Sequence, residues 1–204
     1  MVPVIYEDEW LVIVDKPSGL LVIPTPKNER HTLTNMLNEQ LQKDGVTYRL
    51  HPCHRLDRDT SGLVIYAKGK AMQQKMMEEF KEHRIYKQYL AIVQGRVARP
   101  KGQISLPIDG RESQTKYQVL EQKREYAVVE VLPVTGRKNQ IRLHFAHIGN
   151  PILGDTRFVF RRNFTVKSKR LCLHAQSLQF LHPMTQRQVS VESRVPDRMQ
   201  EFMD

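Results

Sequence analysis

Residues 54–63 of this chain read HRLDRDTSGL and place two acids, two arginines and two hydroxyl side chains directly before an apolar run. That run, residues 63–67, has the length and composition of a buried strand. A carboxylate that is held beside arginine keeps a low pKa and stays ionised, which suits a nucleophile or a general base. The same spacing also fits a turn that is cross-linked by ion pairs.

Hydrophobic periodicity on both sides of this segment predicts a mixture of strands and helices. In the first of two central helices, Leu33 and Leu37 recur at helical spacing, and in the second Met72, Met76, Met77 and Phe80 are expected to face inward. Strands are expected within residues 2–23, 63–67, 86–94, 102–108, 115–121, 127–134, 171–180 and 188–195, and helices within residues 31–43, 71–83, 137–148 and 197–203.

Length and composition describe an ordinary globular protein. The chain has 204 residues, of which 40% are hydrophobic and 26% charged, and no linker is evident, so one compact catalytic unit is expected. No apolar run reaches the roughly 20 residues that span a bilayer. Two cysteines are too few for a disulfide scaffold or for a zinc site of four cysteines, which favours a cytoplasmic setting.

The balance of charge indicates a polyanionic partner. Lysine and arginine exceed aspartate and glutamate by 32 to 22, which gives a net charge of +10, and such an excess favours binding to nucleic acid. Residues 156–170 contain no acid but hold six cations interleaved with Phe158, Phe160 and Phe164; the cations are Arg157, Arg161, Arg162, Lys167, Lys169 and Arg170. We expect this segment to contact RNA or DNA, although a solvated basic face over core phenylalanines is the alternative.

The common cofactor and metal motifs are missing from the sequence. It contains neither a glycine-rich loop for nucleotide phosphates nor a nucleophile elbow. His51, Cys53 and His54 lie close in sequence, but strand spacing would divide them between two faces. No nucleotide cofactor and no metal site is therefore predicted.

Four motifs, in order along the chain, resemble those of the RluA-type pseudouridine synthases. Residues 54–63 resemble the family's signature, and the further matches are residues 16–19 (KPSG), 87–91 (KQYLA) and 136–142 (GRKNQIR), the last followed by residues 151–155 (PILGD). This resemblance implies an enzyme that isomerises selected uridines of structured RNA, ribosomal or transfer, to pseudouridine without a cofactor or a metal. It also implies an α+β fold with a mixed, largely antiparallel central sheet flanked by helices.

The resemblance extends to single residues. Asp57 matches the catalytic aspartate, Tyr89 the tyrosine that stacks on the target base, Arg142 the arginine paired with that aspartate, and Arg55 an arginine that helps to hold the flipped-out nucleotide. Asp57 either attacks C1′ or removes the 2′ proton on the way to a glycal, and the sequence leaves both routes open. The remaining residues expected to bind substrate are Lys16, Arg137, Gln140, Arg157, Arg161 and Arg162.

One residue departs from the family pattern. Asn139 stands where the family usually has histidine; it keeps a donor and an acceptor but does not titrate near neutral pH. Residues 1–204 are also expected to form a single catalytic domain, a monomer without the N-terminal RNA-binding module of larger relatives.

Two other functions stay open at this point. The first is a non-catalytic RNA-binding protein on the same fold, for which Asn139 is the support. The second is a glycosidase that uses Asp57 and Asp59 as a carboxylate pair. The positive net charge and the neighbouring arginines disfavour the glycosidase, because they suit a polyanion and oppose a raised carboxyl pKa.

Overall fold

A computed structural model describes residues 2–159 and 164–204, which form two compact units. Unit 1 contains the residues up to Tyr86 together with Ser177–Ser193, and unit 2 contains Lys87–Gln176 and Arg194–Asp204. Each unit has its own core of buried apolar side chains, one around Ile65 and Met76 in unit 1 and one around Ile92 and Phe145 in unit 2. The expectation of a single catalytic domain over residues 1–204 remains a prediction.

In unit 1 the sheet has the order β1-β2-β4-β9, with β3 on β4 and β10 on β9. The pairs β1–β2, β2–β4, β3–β4 and β9–β10 are antiparallel. The elements of this unit are β1 (Val4–Glu7), β2 (Leu11–Lys16), α1 (Leu33–Lys43), β3 (Leu50–Pro52), β4 (Ser61–Lys68), α2 (Lys70–Lys81), the second part of β9 (Leu173–Leu181) and β10 (Gln188–Glu192). Every residue of β4 from Ser61 to Ala67 is buried, which explains its continuous apolar sequence.

In unit 2 the sheet has the order β9-β5-β8-β7-β6, and the pairs β5–β8, β7–β8 and β6–β7 are antiparallel. Its elements are β5 (Tyr86–Gln94), β6 (Lys101–Ser105), β7 (Gln114–Gln122), β8 (Tyr126–Pro133), α3 (Gln140–His147), the first part of β9 and the short helix α4 (Asp197–Gln200). The predicted α+β fold with a largely antiparallel sheet and flanking helices is confirmed.

Helix α1 begins and ends at residues whose chemistry suits a helix terminus. The Thr32 side chain accepts a hydrogen bond from the N–H of Asn35 and caps α1. α1 ends at Lys43, and Gly45 follows with a φ of 73°, a conformation that favours glycine.

One prediction about α2 is wrong. Met72 and Met76 are buried as expected, but Met77 is 52% exposed. At 100° per residue, the buried stripe runs through positions 72 and 76 toward Phe80, and position 77 falls outside it. A methionine carries no signal in sequence that separates the core stripe from its edge.

Candidate functional site

Asp57 lies in a tight turn directly before β4. The N–H of Thr60 donates to the carbonyl oxygen of Asp57 over 3.2 Å and closes this turn. Leu56 and Thr60 are buried on either side of it, whereas Asp57 is half-buried. The Asp57 carboxyl group therefore extends from a segment that the buried residues Leu56 and Thr60 hold in place.

The side chain of Lys16, at the end of β2, is hydrogen-bonded to this turn. Its side chain is 0% exposed, and its Nζ donates to the carbonyl oxygens of Pro17, Leu20 and Arg58 over 3.0, 2.7 and 2.9 Å. An ammonium group has three N–H donors, so these carbonyls account for all of them. The structure thus gives Lys16 protein partners instead of the substrate contact that was predicted for it.

The residues after Lys16 hold the same turn through two further bonds. The N–H of Gly19 donates to the carbonyl oxygen of Arg58 over 2.9 Å, and the hydroxyl of Ser18 donates to that of Asp59 over 2.7 Å. Gly19 has a φ of 88°, which a side chain at this position would oppose. The KPSG motif is therefore a clamp on the segment that carries Asp57.

Burial lowers the pKa of Lys16 to about 8, against the opposing effect of the carboxylates of Asp59, Asp57 and Asp15. At pH 7 most of Lys16 is therefore protonated and able to make all three bonds. It is also a buried positive charge beneath the turn, which favours ionised carboxylates nearby.

The arginines of this segment lie on the surface. Arg55 and Arg58 are exposed. Arg58 Nη2 lies 3.4 Å from Glu29 Oε1, so its ion pair reaches outside the HRLDRDTSGL segment. Arg55 occupies an accessible position, as a residue that contacts substrate must.

Tyr89 lies on β5, opposite Val131 of β8. It is half-buried and packs against the core of unit 2. Lys87, two positions earlier on the same side of the strand, has its pKa lowered by burial. Tyr89 is thus held in place by the core and is still partly exposed, as a residue that stacks on a nucleotide base must be.

Arg142 of α3 forms a buried ion pair with Asp155. Its Nε donates to Asp155 Oδ2 and its Nη2 to Asp155 Oδ1, both over 2.8 Å, and only 4% of Arg142 is exposed. The Phe158 ring lies against the guanidinium, with its centroid 4.9 Å from Cζ. Arg142 is therefore a buried, ion-paired residue and not a surface cation.

Asp155 is ionised despite its burial. Burial alone raises the pKa of its carboxyl group, but the hydrogen bonds from Arg142 and from the N–H groups of Arg157 and Phe158 outweigh this effect and lower the pKa below its usual value. In the sequence, Asp155 is the last residue of the PILGD motif, and no role was predicted for it. Its acidic character after a glycine was the available signal.

Asn139 adds a third bond to the same guanidinium. Its Oδ1 accepts from Arg142 Nη1 over 3.2 Å. Asn139 has a φ of 56°, the left-handed conformation that asparagine tolerates better than most residues, and it lies directly before α3. The side-chain oxygen of Asn139, the acceptor that asparagine keeps in place of histidine, is thus the atom that contacts Arg142.

Gln140 is buried, and protein groups use its whole side-chain amide. Its Oε1 accepts from Thr135 Oγ1 and from the N–H of Arg137, and its Nε2 donates to the carbonyl oxygen of Gln114 and to Thr115 Oγ1. An amide has two donors and two main acceptor positions, so this set is complete. Gln140 therefore has a structural role within the protein, and its predicted contact with substrate stays a prediction.

Two of the remaining predicted binding residues, Arg137 and Arg157, are surface cations. Arg137 is exposed, and its Nε donates to the carbonyl oxygen of Glu112 over 3.1 Å. Arg157 is exposed beside the Phe158 ring, at 5.6 Å from its centroid. Arg161 and Arg162 lie outside the described residues. Of the phenylalanines in this basic segment, Phe164 is buried in the core of unit 2, as the alternative reading had it.

In residues 2–159 and 164–204, the structure places no group of three or more His, Cys, Asp or Glu side chains where they could hold a metal ion. No helix within these same ranges is long and apolar enough to cross a membrane.

Comparison with known proteins gives consistent matches. Residues 10–147 match the model of a family described as RNA pseudouridylate synthase. The chain is 36% identical over 198 residues to the dual-specificity RNA pseudouridine synthase RluA of Haemophilus influenzae, with 89% of this chain and 88% of the relative covered. It is 32% identical over 228 residues to the tRNA pseudouridine synthase C of Haemophilus ducreyi, with 97% and 92% covered.

The fold has a solved counterpart in the human RNA pseudouridylate synthase domain containing 4. The TM-score is 0.79 at 24% sequence identity, and the match covers 97% of this chain and 92% of that one. The two chains therefore share one fold.

Proposed function

Because the chain belongs to the RNA pseudouridylate synthase family, we propose that it isomerises selected uridines of structured ribosomal or transfer RNA to pseudouridine with Asp57 as its catalytic carboxylate. The observation that carries the proposal is the match over residues 10–147, which contains Asp57, Tyr89 and Arg142. One relative, which is 32% identical to this chain, is a tRNA pseudouridine synthase. A cytoplasmic, monomeric enzyme that needs no nucleotide cofactor is part of the same proposal.

The reaction rearranges the bonds of one nucleotide and leaves its total number of atoms unchanged. The bond from C1′ to N1 of uracil breaks, a bond from C1′ to C5 forms, C5 loses its proton and N1 gains one. Asp57 starts it in ionised form, either by attack on C1′ or by removal of the 2′ proton. The clamp by Lys16, Ser18 and Gly19 supports this role, because a carboxylate must be held in place to react efficiently.

Arg142 keeps Asp57 ionised in this proposal, as the family resemblance implies. Asp155 and Asn139 accept three hydrogen bonds from the Arg142 guanidinium and hold it in place. An opposite charge within reach lowers a carboxyl pKa by about 1–3 units. Asp155 and Asn139 then act as positioning residues for Arg142.

The target base has to leave its stack before C1′ and C5 are accessible. We assign Tyr89 as the platform for the flipped-out base, because aromatic stacking contributes about 1–3 kcal/mol per base and adds no charge at the reacting bond. Arg55, Arg137 and Arg157 are exposed cations suited to RNA phosphates, and Arg161 and Arg162 are assigned with them from sequence.

The decisive experiment is a chemical map of pseudouridine by carbodiimide labelling and primer extension. Ribosomal and transfer RNA from cells with and without the gene are compared, and purified protein is then added to unmodified transcripts. We expect one or more primer-extension stops to vanish without the gene and to return with the protein. Unchanged stops in both assays would contradict the proposal and favour a non-catalytic RNA-binding protein.

A further inference from the structure

A buried polar network joins the start of α3 to β7 and to the segment that follows β6. Its members Gln140 and His144 are one helical turn apart on α3, and both contact Thr115 of β7. His144 and Thr115 are fully buried. Arg142 lies between Gln140 and His144 in sequence, about 200° around the helix from each of them. One face of α3 is thus held by the network, and the opposite face carries the arginine.

The backbone partners of Gln140 fix the direction of the bonds that its side-chain amide makes. Its Oε1 faces the N–H of Arg137, which can only donate, and its Nε2 faces the carbonyl oxygen of Gln114, which can only accept. The second N–H of Nε2 therefore donates to Thr115 Oγ1, over 3.0 Å. The Thr115 hydroxyl is then an acceptor from Gln140, and its own proton is available for another partner.

That partner is His144. Its Nδ1 lies 2.9 Å from Thr115 Oγ1, and its Nε2 lies 3.0 Å from the carbonyl oxygen of Leu106. A carbonyl oxygen only accepts, so Nε2 carries the ring proton and Nδ1 accepts from Thr115. The other tautomer would place two acceptors, Nε2 and the Leu106 oxygen, against each other. Ser113 Oγ, 3.1 Å from Nε2, donates to the same carbonyl and leaves this assignment unchanged.

We propose that His144, as the neutral tautomer with its proton on Nε2, is a positioning residue that acts with Thr115 to fix α3 against β7 and so to place Arg142 for the reaction. The role in the reaction rests on the proposed function. Hydrogen bonds are directional, whereas apolar packing tolerates sliding and rotation. A chain of bonds that ends on the carbonyl oxygen of Leu106 therefore sets both the height and the rotation of the helix.

The surroundings of His144 keep its ring uncharged. Burial lowers its pKa, the bond to the Leu106 carbonyl acts in the opposite direction, and the nearby His147 lowers it again. A neutral ring with its proton on Nε2 lets Nδ1 accept from Thr115, whereas a charged ring would have to donate there. No step of the reaction uses the ring, so its burial follows from positioning rather than from chemistry.

The tautomer is measured directly by NMR of the protein labelled with ¹⁵N-histidine, with His144→Gln to identify its signals. We expect a neutral ring with the proton on Nε2 at pH 7 and above, regardless of RNA. A proton on Nδ1, or a doubly protonated ring at pH 7, would overturn the proposal.

Thr115→Val tests the link to the reaction, because it removes the hydroxyl and keeps the shape. We expect its single-turnover rate to fall by about 10-fold or more, since small displacements of a catalytic group are costly, while its affinity for RNA stays the same. Thr115→Ser keeps the hydroxyl and should keep the rate. Ile92→Val lowers stability in the core of unit 2 at a position that pairs with Val128 of β8, and it is the control for a merely structural effect.

The outcomes separate this inference from the function on which it rests. If the wild type forms pseudouridine and Thr115→Val is no slower than Ile92→Val, the positioning role is overturned and the proposed function stands. If the wild type forms no pseudouridine on any RNA, both are overturned, whatever the tautomer of His144.

Discussion

Lys16 donates a hydrogen bond of 2.9 Å to the carbonyl oxygen of Arg58, a residue 42 positions further along the chain. This bond joins the KPSG motif to the turn that carries Asp57, and the N–H of Gly19 reaches the same oxygen. Two motifs that are distant in sequence therefore form one rigid structure. The lysine acts on the turn from inside the protein, where its side chain is fully buried.

Burial of Lys16 predicts a specific dependence of stability on pH. Its pKa is about 8 in the folded protein and 10.5 ordinarily, so between these values the unfolded chain binds a proton that the folded chain does not, and stability rises with pH. The wild type should gain roughly 3 kcal/mol relative to Lys16→Met across this interval, as an upper bound. Urea unfolding of both proteins from pH 7 to 10.5 measures the difference, and a constant difference would contradict the lowered pKa.

Loss of the buried charge on Asp155 should destabilise the protein strongly. Asp155→Asn leaves the Arg142 guanidinium buried without its carboxylate, and breaking a buried pair in this way costs about 3–5 kcal/mol. Glu79→Gln is the matched control, because it breaks a surface pair with Arg84, for which about 1 kcal/mol or less is expected. Denaturant unfolding gives the free energy of unfolding of both variants. Equal decreases in this free energy would show that the buried Arg142–Asp155 pair stabilises the protein no more than a surface pair does.

Removal of the aromatic ring at Tyr89 should slow the reaction without unfolding the protein. The loss of about 1–3 kcal/mol of stacking in Tyr89→Leu corresponds to a fall of about 5- to 150-fold in the single-turnover rate. Tyr86→Leu, on the same strand but an odd number of positions away, is the control, and Tyr86 is 44% exposed. If the two variants are equally fast on the mapped RNA, Tyr89 is not the platform.

The basic segment should determine how binding responds to salt. Changing Arg157, Lys167 and Lys169 to glutamate removes three exposed cations, so the slope of log K against log salt should fall by about 2. The change of Lys75, Lys81 and Arg124 to glutamate alters the net charge equally and is the control. Filter binding over a range of salt gives both slopes, and an unchanged slope for the first triple variant would exclude this segment from the RNA contact.

The sequence predicts most of this fold because its elements have clear periods. Strand β5 covers Tyr86–Gln94, the range expected from its apolar residues. β6 ends at Ser105, earlier than expected, because Ile108 and Arg111 pair across a turn that follows the strand. Apolar runs identify strands well, but they do not reveal where a turn interrupts them.

The site is less predictable, because its contacts join distant parts of the chain. Lys16 stands beside Pro17 and Gly19, which makes it look like a solvated turn residue, and only the folded structure supplies its partner Arg58. Arg142 finds Asp155 across a loop, 13 positions away. Local sequence shows which residue types are present, whereas burial and long-range pairing decide which of them contact substrate and which position their neighbours.

The central claim is that Asp57 is the catalytic carboxylate, and one measurement tests it most directly. RNA labelled with tritium at C5 of uridine releases tritium when C5 bonds to C1′, so release and RNA binding are both measured for Asp57→Asn. Asp59→Asn, two positions along on the exposed side of the turn, is the control. We predict that Asp57→Asn binds RNA like the wild type and releases no tritium, while Asp59→Asn stays active. Release of tritium by Asp57→Asn at the wild-type rate would contradict the account.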